Sequence, residues 1–281
     1  METRNAFDSV KLRSLAFWMV LSLIVIIIIM GTRGPELDGP LGDIILMILF
    51  YAIIVVWIMW KFKSFHVDYK KIIGKFPPDY KWWWILGIVA LLILFSVGTF
   101  WLLYYPLSFI APSYVNGVLN ETSFYTTADT TSPLAYNFLI VLITVLVAPV
   151  VEEFLFRGVI LQRLAVKWGT TAGVLISSFI FGILHGDILG AFVFGIFMSL
   201  LYINTRTLLV PIACHILNNG LAFGLSFIGI LLGESETATT VAQFQSGILY
   251  ALILLLVTVP IVIYFVCKNW PKKDTKLPYF A

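Results

Sequence analysis

Residues 134–165 read LAYNFLIVLITVLVAPVVEEFLFRGVILQRLA. The run is more than long enough to cross a bilayer, which takes about 20 apolar residues. Yet it carries Glu152, Glu153 and Arg157 at positions that lipid would otherwise surround. Ionisable side chains inside a span are costly, and as a rule they face a cavity or one another. The rest of the chain is of the same kind. Of its 281 residues, 60% are hydrophobic and 12% charged, against about 25% charged in a soluble domain. No water-soluble fold of this length hides so much apolar surface. The bilayer must be the solvent, and no nucleic-acid partner is expected.

Working outward, apolar runs recur near residues 15–30, 42–60, 83–105, 134–165, 171–186, 188–205, 207–231 and 246–266. Backbone polar groups cannot stay unpaired in lipid, so these runs predict an all-α integral membrane protein of about eight transmembrane helices. The first run follows Arg4, Lys11 and Arg13 but lacks a small-x-small cleavage pattern, so it reads as a retained helix. Lys61, Lys63, Lys70, Lys71, Lys75 and Lys81 crowd the second connection, and Lys268, Lys272, Lys273 and Lys276 the tail. The stretch from Pro106 to Pro133 has Glu121 and Asp129 but no Lys or Arg, and the connection near Gly233 has Glu234 and Glu236. Placing both termini in the cytoplasm puts every basic residue on that side except Arg33 and Arg157, as the positive-inside rule asks.

That pattern predicts a multi-pass protein of the cell membrane, with Trp82, Trp83 and Trp84 as an interfacial anchor and a basic second connection facing solvent and lipid headgroups. The external stretch 106–133 is expected to be irregular or to hold a short interfacial helix. The chain divides into an N-terminal membrane region (1–133), a central core (134–231), and a last helix with a basic tail (232–281). Cys214 and Cys267 lack metal-ligand spacing and read as small buried hydrophobes.

The ionisable groups within the apolar spans are Glu152, Glu153, Arg157, His185 and His215, with Asn218 and Asn219 beside the last. Their confinement to residues 152–219 argues for one site. Glu153 and Arg157, four apart on a helix, share a face and can pair. Glu152 is turned about 100° away and stays outside that pair, in an apolar setting suited to a general base. Phe181 and His185 are again four apart. So are His215 and Asn219, whose donors could aim in one direction as an oxyanion site needs. Counted at 1.5 Å per residue from the cytoplasmic ends, Glu152 lies roughly 20 Å deep, His185 about 21 Å and His215 about 12 Å. All three can meet within the membrane. Pro149 is placed to kink the helix just before the acidic pair.

Glu-Glu-x-x-x-Arg, then Phe-x-x-x-His, then His-x-x-x-Asn, in that order on successive apolar segments, resembles the CPBP family. These are the CAAX proteases and bacteriocin-processing enzymes, also called Abi, to which the Ras-converting CAAX endopeptidase is related. The likeness covers roughly residues 134–225. It implies about eight helices around an intramembrane cavity and an endopeptidase acting on membrane-associated, possibly CAAX-type prenylated, proteins or peptides. By the same likeness Glu152 would activate water and His185 would hold it or shuttle its proton. His215 and Asn219 would form the oxyanion hole, Glu153 and Arg157 would order the site, and Phe181 would pack beside His185.

Two chemistries compete. Glu152, His185 and His215 could hold zinc with one position open, but the chain has no His-Glu-x-x-His. A metal-free glutamate–histidine mechanism is preferred, and no cofactor is then expected. Outside catalysis, the same polar cluster could let an immunity or scaffold protein bind a peptide. A transporter would call for polar residues along several further helices, which the first three runs and the last do not supply.

Overall fold

The computed structural model describes residues 6–33, 39–121, 124–231, 239–272 and 275–280; Arg4, Glu234, Glu236 and Lys273 lie outside them. Among these residues no strand occurs. The helices are α1 (Leu12–Arg33), α2 (Pro40–Ser64), α3 (Tyr69–Ile73), α4 (Trp84–Ile110) and α5 (Pro112–Leu119). They continue with α6 (Pro133–Trp168), α7 (Thr170–Ile183), α8 (Ile188–Thr205), α9 (Leu209–Leu231), α10 (Val241–Ser246) and α11 (Ile248–Asn269).

Six of these are long and apolar enough to cross a membrane, and two further apolar helices, Leu12–Ile28 and Thr170–Ile183, are shorter. The outer surface is apolar too: Leu256 is 76% exposed, Ile27 68% and Phe138 64%. Water would not tolerate such a belt, whereas lipid requires one. The chain is an all-α, multi-pass membrane protein. Six spans rest on length and composition; the expected count of eight would need the two shorter helices as well.

Two details depart from the sequence reading. Cys214 is buried as expected, but Cys267 is exposed on α11. The basic connection is not wholly solvated, because α3 tucks Ile72 fully inside and its Ile73 carbonyl accepts the Leu208 N–H at 2.9 Å. The stretch 106–133 holds a short helix, one of the two forms expected of it: α5 runs two turns and buries Val115.

Helix α6 positions the acidic pair, and its backbone is irregular on both sides of it. Residues Ile143–Val147 and Phe154–Ile160 form π-helical turns around the α-helical turn Ala148–Glu153. Such bulges gather at functional sites because each re-aims the side chains beyond it. Pro149 does not end the helix. The widened turn absorbs it: the Ala148 N–H reaches back five residues to the Ile143 carbonyl. Pro149 has no N–H to offer, which leaves the Thr144 carbonyl without a donor along its own helix.

Helices α7 and α8 form a close hairpin. A Cβ on Gly195 would stand 2.9 Å from Ser178 Cα, and one on Gly182 would stand 2.8 Å from the Ile188 carbonyl oxygen. Only glycine admits that approach, the small-residue packing typical of membrane helices. With 14 residues, α7 rises about 21 Å, less than the hydrocarbon core of about 30 Å. The turn at His185–Asp187 therefore sits at membrane depth. Non-helical backbone is tolerated there only when protein satisfies its polar groups. The Tyr104 hydroxyl donates to the Gly186 carbonyl at 3.1 Å, and Asp187 accepts the Gly190 N–H at 3.0 Å, capping α8. Beside this turn, Ile183 and Leu184 are 50% and 59% exposed, as suits a hairpin tip in lipid.

Candidate active site

The helical repeat alone dictates the first contact. Arg157 Nη1 lies 2.8 Å from Glu153 Oε1, with both side chains essentially sealed from solvent, and Arg157 Nη2 donates to the Gly195 carbonyl at 3.0 Å. The guanidinium also lies 5.0 Å from the centre of the Phe181 ring. Burying an ion pair is costly unless its remaining valences are met. Here they are met in part: Glu153 Oε2 and Arg157 Nε find no hydrogen-bond partner among the described residues.

Glu153 holds a second group. Its Oε1 also stands 2.9 Å from His215 Nδ1. That oxygen already accepts the Arg157 N–H, so the imidazole must be the donor. His215 Nε2 is then a bare lone pair in the neutral ring and becomes a donor only in the imidazolium. It faces Glu152, whose Oε2 is 3.9 Å away. Glu152 is outside the Arg157 pair but not unpartnered: the Tyr51 hydroxyl of α2 donates to its Oε1 at 2.8 Å.

His185 is fixed in the same way. Its Nδ1 lies 2.7 Å from the Phe181 carbonyl, which can only accept, so Nδ1 carries the hydrogen and Nε2 is available. Its ring stacks on Phe181 at 4.3 Å between centres, and Phe194 meets His215 edge-on at 4.8 Å. Below the ring, the hydroxyls of Ser96 and Thr99 on α4 bind the carboxylate of Asp187. Asn219 Nδ2 donates at 3.0 Å to the Thr144 carbonyl, the group freed by the π turn and Pro149. Asn218 Nδ2 bonds Asn219 Oδ1 at 3.3 Å.

Glu152, His185, His215, Asn218 and Asn219 line one half-open cavity of about 480 Å³, together with Tyr51, Ser96, Thr144, Phe181 and Asp187. Glu153 and Arg157 do not line it; they are buried beside it, with the guanidinium against the Phe181 ring. The structure thus brings all the sequence-derived site residues to one place, Glu152, Phe181, His185, His215 and Asn219 as cavity walls and the Glu153–Arg157 ion pair as support. Sequence reasoning missed Tyr51, Ser96, Thr99 and Asp187, and helices α2 and α4 do contribute polar groups. Asp187 carried a readable signal, an acid two residues after His185 and next to a helix start.

Zinc would need three ligands converging on one point. Glu152 and His215 approach each other, but among the described residues no three His, Cys, Asp or Glu side chains stand close enough to hold one ion. The donor set as placed does not fit zinc.

Comparisons with known proteins fall on this region. Residues 133–221 match the family model described as Type II CAAX prenyl endopeptidase Rce1-like. The "Putative membrane peptidase YdiL" of Bacillus subtilis (strain 168) is 34% identical over 84 residues, 29% of this chain and 34% of that protein. The "Membrane-embedded CAAX protease MroQ" of Staphylococcus aureus (strain USA300) is 38% identical over 84 residues, 27% of this chain and 34% of that protein. The chain thus spans about a third of the length of the curated relatives it matches. No solved structure matches it significantly. Most of the residues that build this cavity thus fall in a segment, 133–221, that is similar to Rce1-like Type II CAAX prenyl endopeptidases.

Proposed function

We propose that the protein is an intramembrane endopeptidase that hydrolyses a peptide bond in a membrane-associated substrate, with Glu152 as general base. The observation that carries this reading is the convergence of Glu152 Oε2 and His215 Nε2 to 3.9 Å in a cavity that also holds His185 and two carboxamides. A water bound between Glu152 Oε2 and His185 Nε2 gives one proton to Glu152 as its oxygen adds to the scissile carbonyl. The oxyanion takes hydrogen bonds from the Asn218 and Asn219 amides, and from His215 while that ring is protonated. Collapse of the tetrahedral intermediate returns the proton from Glu152 to the leaving nitrogen. Each oxyanion donor of this kind typically lowers the barrier by about 2.7–4 kcal/mol. The roles of Glu153, Arg157 and Phe181 are to fix the two imidazoles, and no cofactor takes part.

The family match supports a prenylated CAAX-type tail as one substrate class. The half-open cavity suits any peptide that arrives from the bilayer. We place the protein in the cell membrane with both termini in the cytoplasm, on the strength of its basic connections. The test is cleavage of a quenched fluorescent peptide with a farnesylated CAAX tail, alongside a library of single-span peptides, by the purified full-length protein in lipid nanodiscs. Turnover by the parent and none by Glu152→Gln supports the reading. Equal turnover by both, or peptide binding without cleavage by either, overturns it, the latter in favour of a peptide-binding scaffold.

A further inference from the structure

We infer that Tyr51 is a positioning residue for the proposed reaction: its hydroxyl selects which oxygen of Glu152 faces the cavity. The inference rests on the reading of Glu152 as the base. Tyr51 belongs to α2, outside the matched residues 133–221, and projects into an otherwise apolar helix interface. Behind its ring lies the small cluster of Ile44, Ile140 and Ile143, and the Phe50 ring meets it edge-on at 5.3 Å. The phenol is therefore held on its apolar side and has one hydrogen to give. It gives that hydrogen to Glu152 Oε1, at 2.8 Å.

Glu152 needs such an anchor. Its neighbour Glu153 has taken Arg157 and one nitrogen of His215, so no cation fixes Glu152 from within α6. A glutamate with three freely turning bonds would sample several positions in a cavity of about 480 Å³. With Oε1 tethered, Oε2 remains as the proton acceptor on the His215 side. The first π turn of α6, Ile143–Val147, lies in the same interface and shapes the wall against which the tyrosine ring rests. On this account α2 supplies an orienting group to a site whose reacting groups all come from elsewhere.

The experiment uses Tyr51→Phe, which keeps the ring and removes one oxygen, in the full-length protein in nanodiscs. Steady-state kinetics with the farnesylated peptide are read beside the infrared carboxylate band of Glu152, identified as the band lost in Glu152→Gln. Displacing a reacting group by about 1 Å can cost up to 100-fold. The expected result is a kcat about tenfold lower with KM within twofold of the parent, and a displaced Glu152 band. A parental kcat with an unmoved band overturns the inference, even if the melting temperature has dropped, because a purely structural tyrosine would behave so. Should the parent fail to cleave, the functional reading falls, and the infrared band alone decides whether Tyr51 orients Glu152: displaced, the contact stands; unmoved, it does not.

Discussion

Glu152 and Glu153, neighbours in sequence, face the two nitrogens of one imidazole: Glu153 Oε1 is 2.9 Å from His215 Nδ1, and Glu152 Oε2 is 3.9 Å from His215 Nε2. The helical offset of about 100° between consecutive residues separates their duties. One carboxylate is sealed behind the aromatic layer with Arg157; the other reaches the cavity. The pair differs in environment, not in chemistry.

That difference predicts different failures. Glu153→Gln leaves Arg157 buried without a counter-charge and gives His215 a weaker, neutral acceptor. Stranding one member of a buried pair costs about 3–5 kcal/mol, so Glu153→Gln and Arg157→Met should each lower folded yield and melting temperature. Glu152→Gln, with Glu152 15% exposed on the cavity wall, should melt within a few degrees of the parent while losing turnover. Size-exclusion profiles and thermal melts in detergent separate the two classes. Equal destabilisation by all three substitutions would contradict the division of labour.

The Glu153–Arg157 contact was legible because the helical repeat alone determines it, and the convergence of three distant segments because depth along a span can be counted. Tyr51 was not. A tyrosine in an apolar run looks the same whether it faces lipid or a carboxylate, and only the packing of α2 on α6 decides. Asp187 was passed over because it falls between two apolar runs and so reads as a connection. It is the shortness of α7 that brings this turn to membrane depth. The π turns could not be read at all, since a backbone register depends on which neighbours donate to the displaced carbonyls.

Metal dependence follows from the spacing of the donors. No three ligands converge among the described residues, so cleavage should persist after incubation with a strong zinc chelator and dialysis. Turnover lost with the chelator and restored by stoichiometric zinc would show that the side chains rearrange around an ion.

Asp187 ties the turn after His185 to α4 through Ser96 and Thr99 and caps α8 through the Gly190 N–H. Removing a cap costs about 0.5–2 kcal/mol. Asp187→Ala should therefore lower stability by about that much. It should also lower kcat by more than stability explains, because the turn that carries His185 loosens. Asp187→Asn keeps a capping oxygen and should recover most of the melting temperature and part of the kcat. If both variants keep parental kcat, the turn positions nothing.

Pro149 provides the least intuitive case. Because it cannot donate, and because Ala148 reaches back to Ile143, the Thr144 carbonyl turns to Asn219 instead, at 3.0 Å. Asn219→Ala should reduce kcat by about 100- to 1,000-fold if its amide holds the oxyanion. Pro149→Ala should act on the same amide from a distance. A restored N–H lets α6 tighten and serve its own carbonyls, which releases Asn219. Alanine is also about 3 kcal/mol better than proline in a helix interior, so the variant should melt at or above the parent temperature while turning over several-fold more slowly. Adding Pro149→Ala to Asn219→Ala should then cost little further activity, since both remove the same interaction. Full additivity of the two losses would show that proline and asparagine act independently, and that the opened helical turn is not what aims the amide.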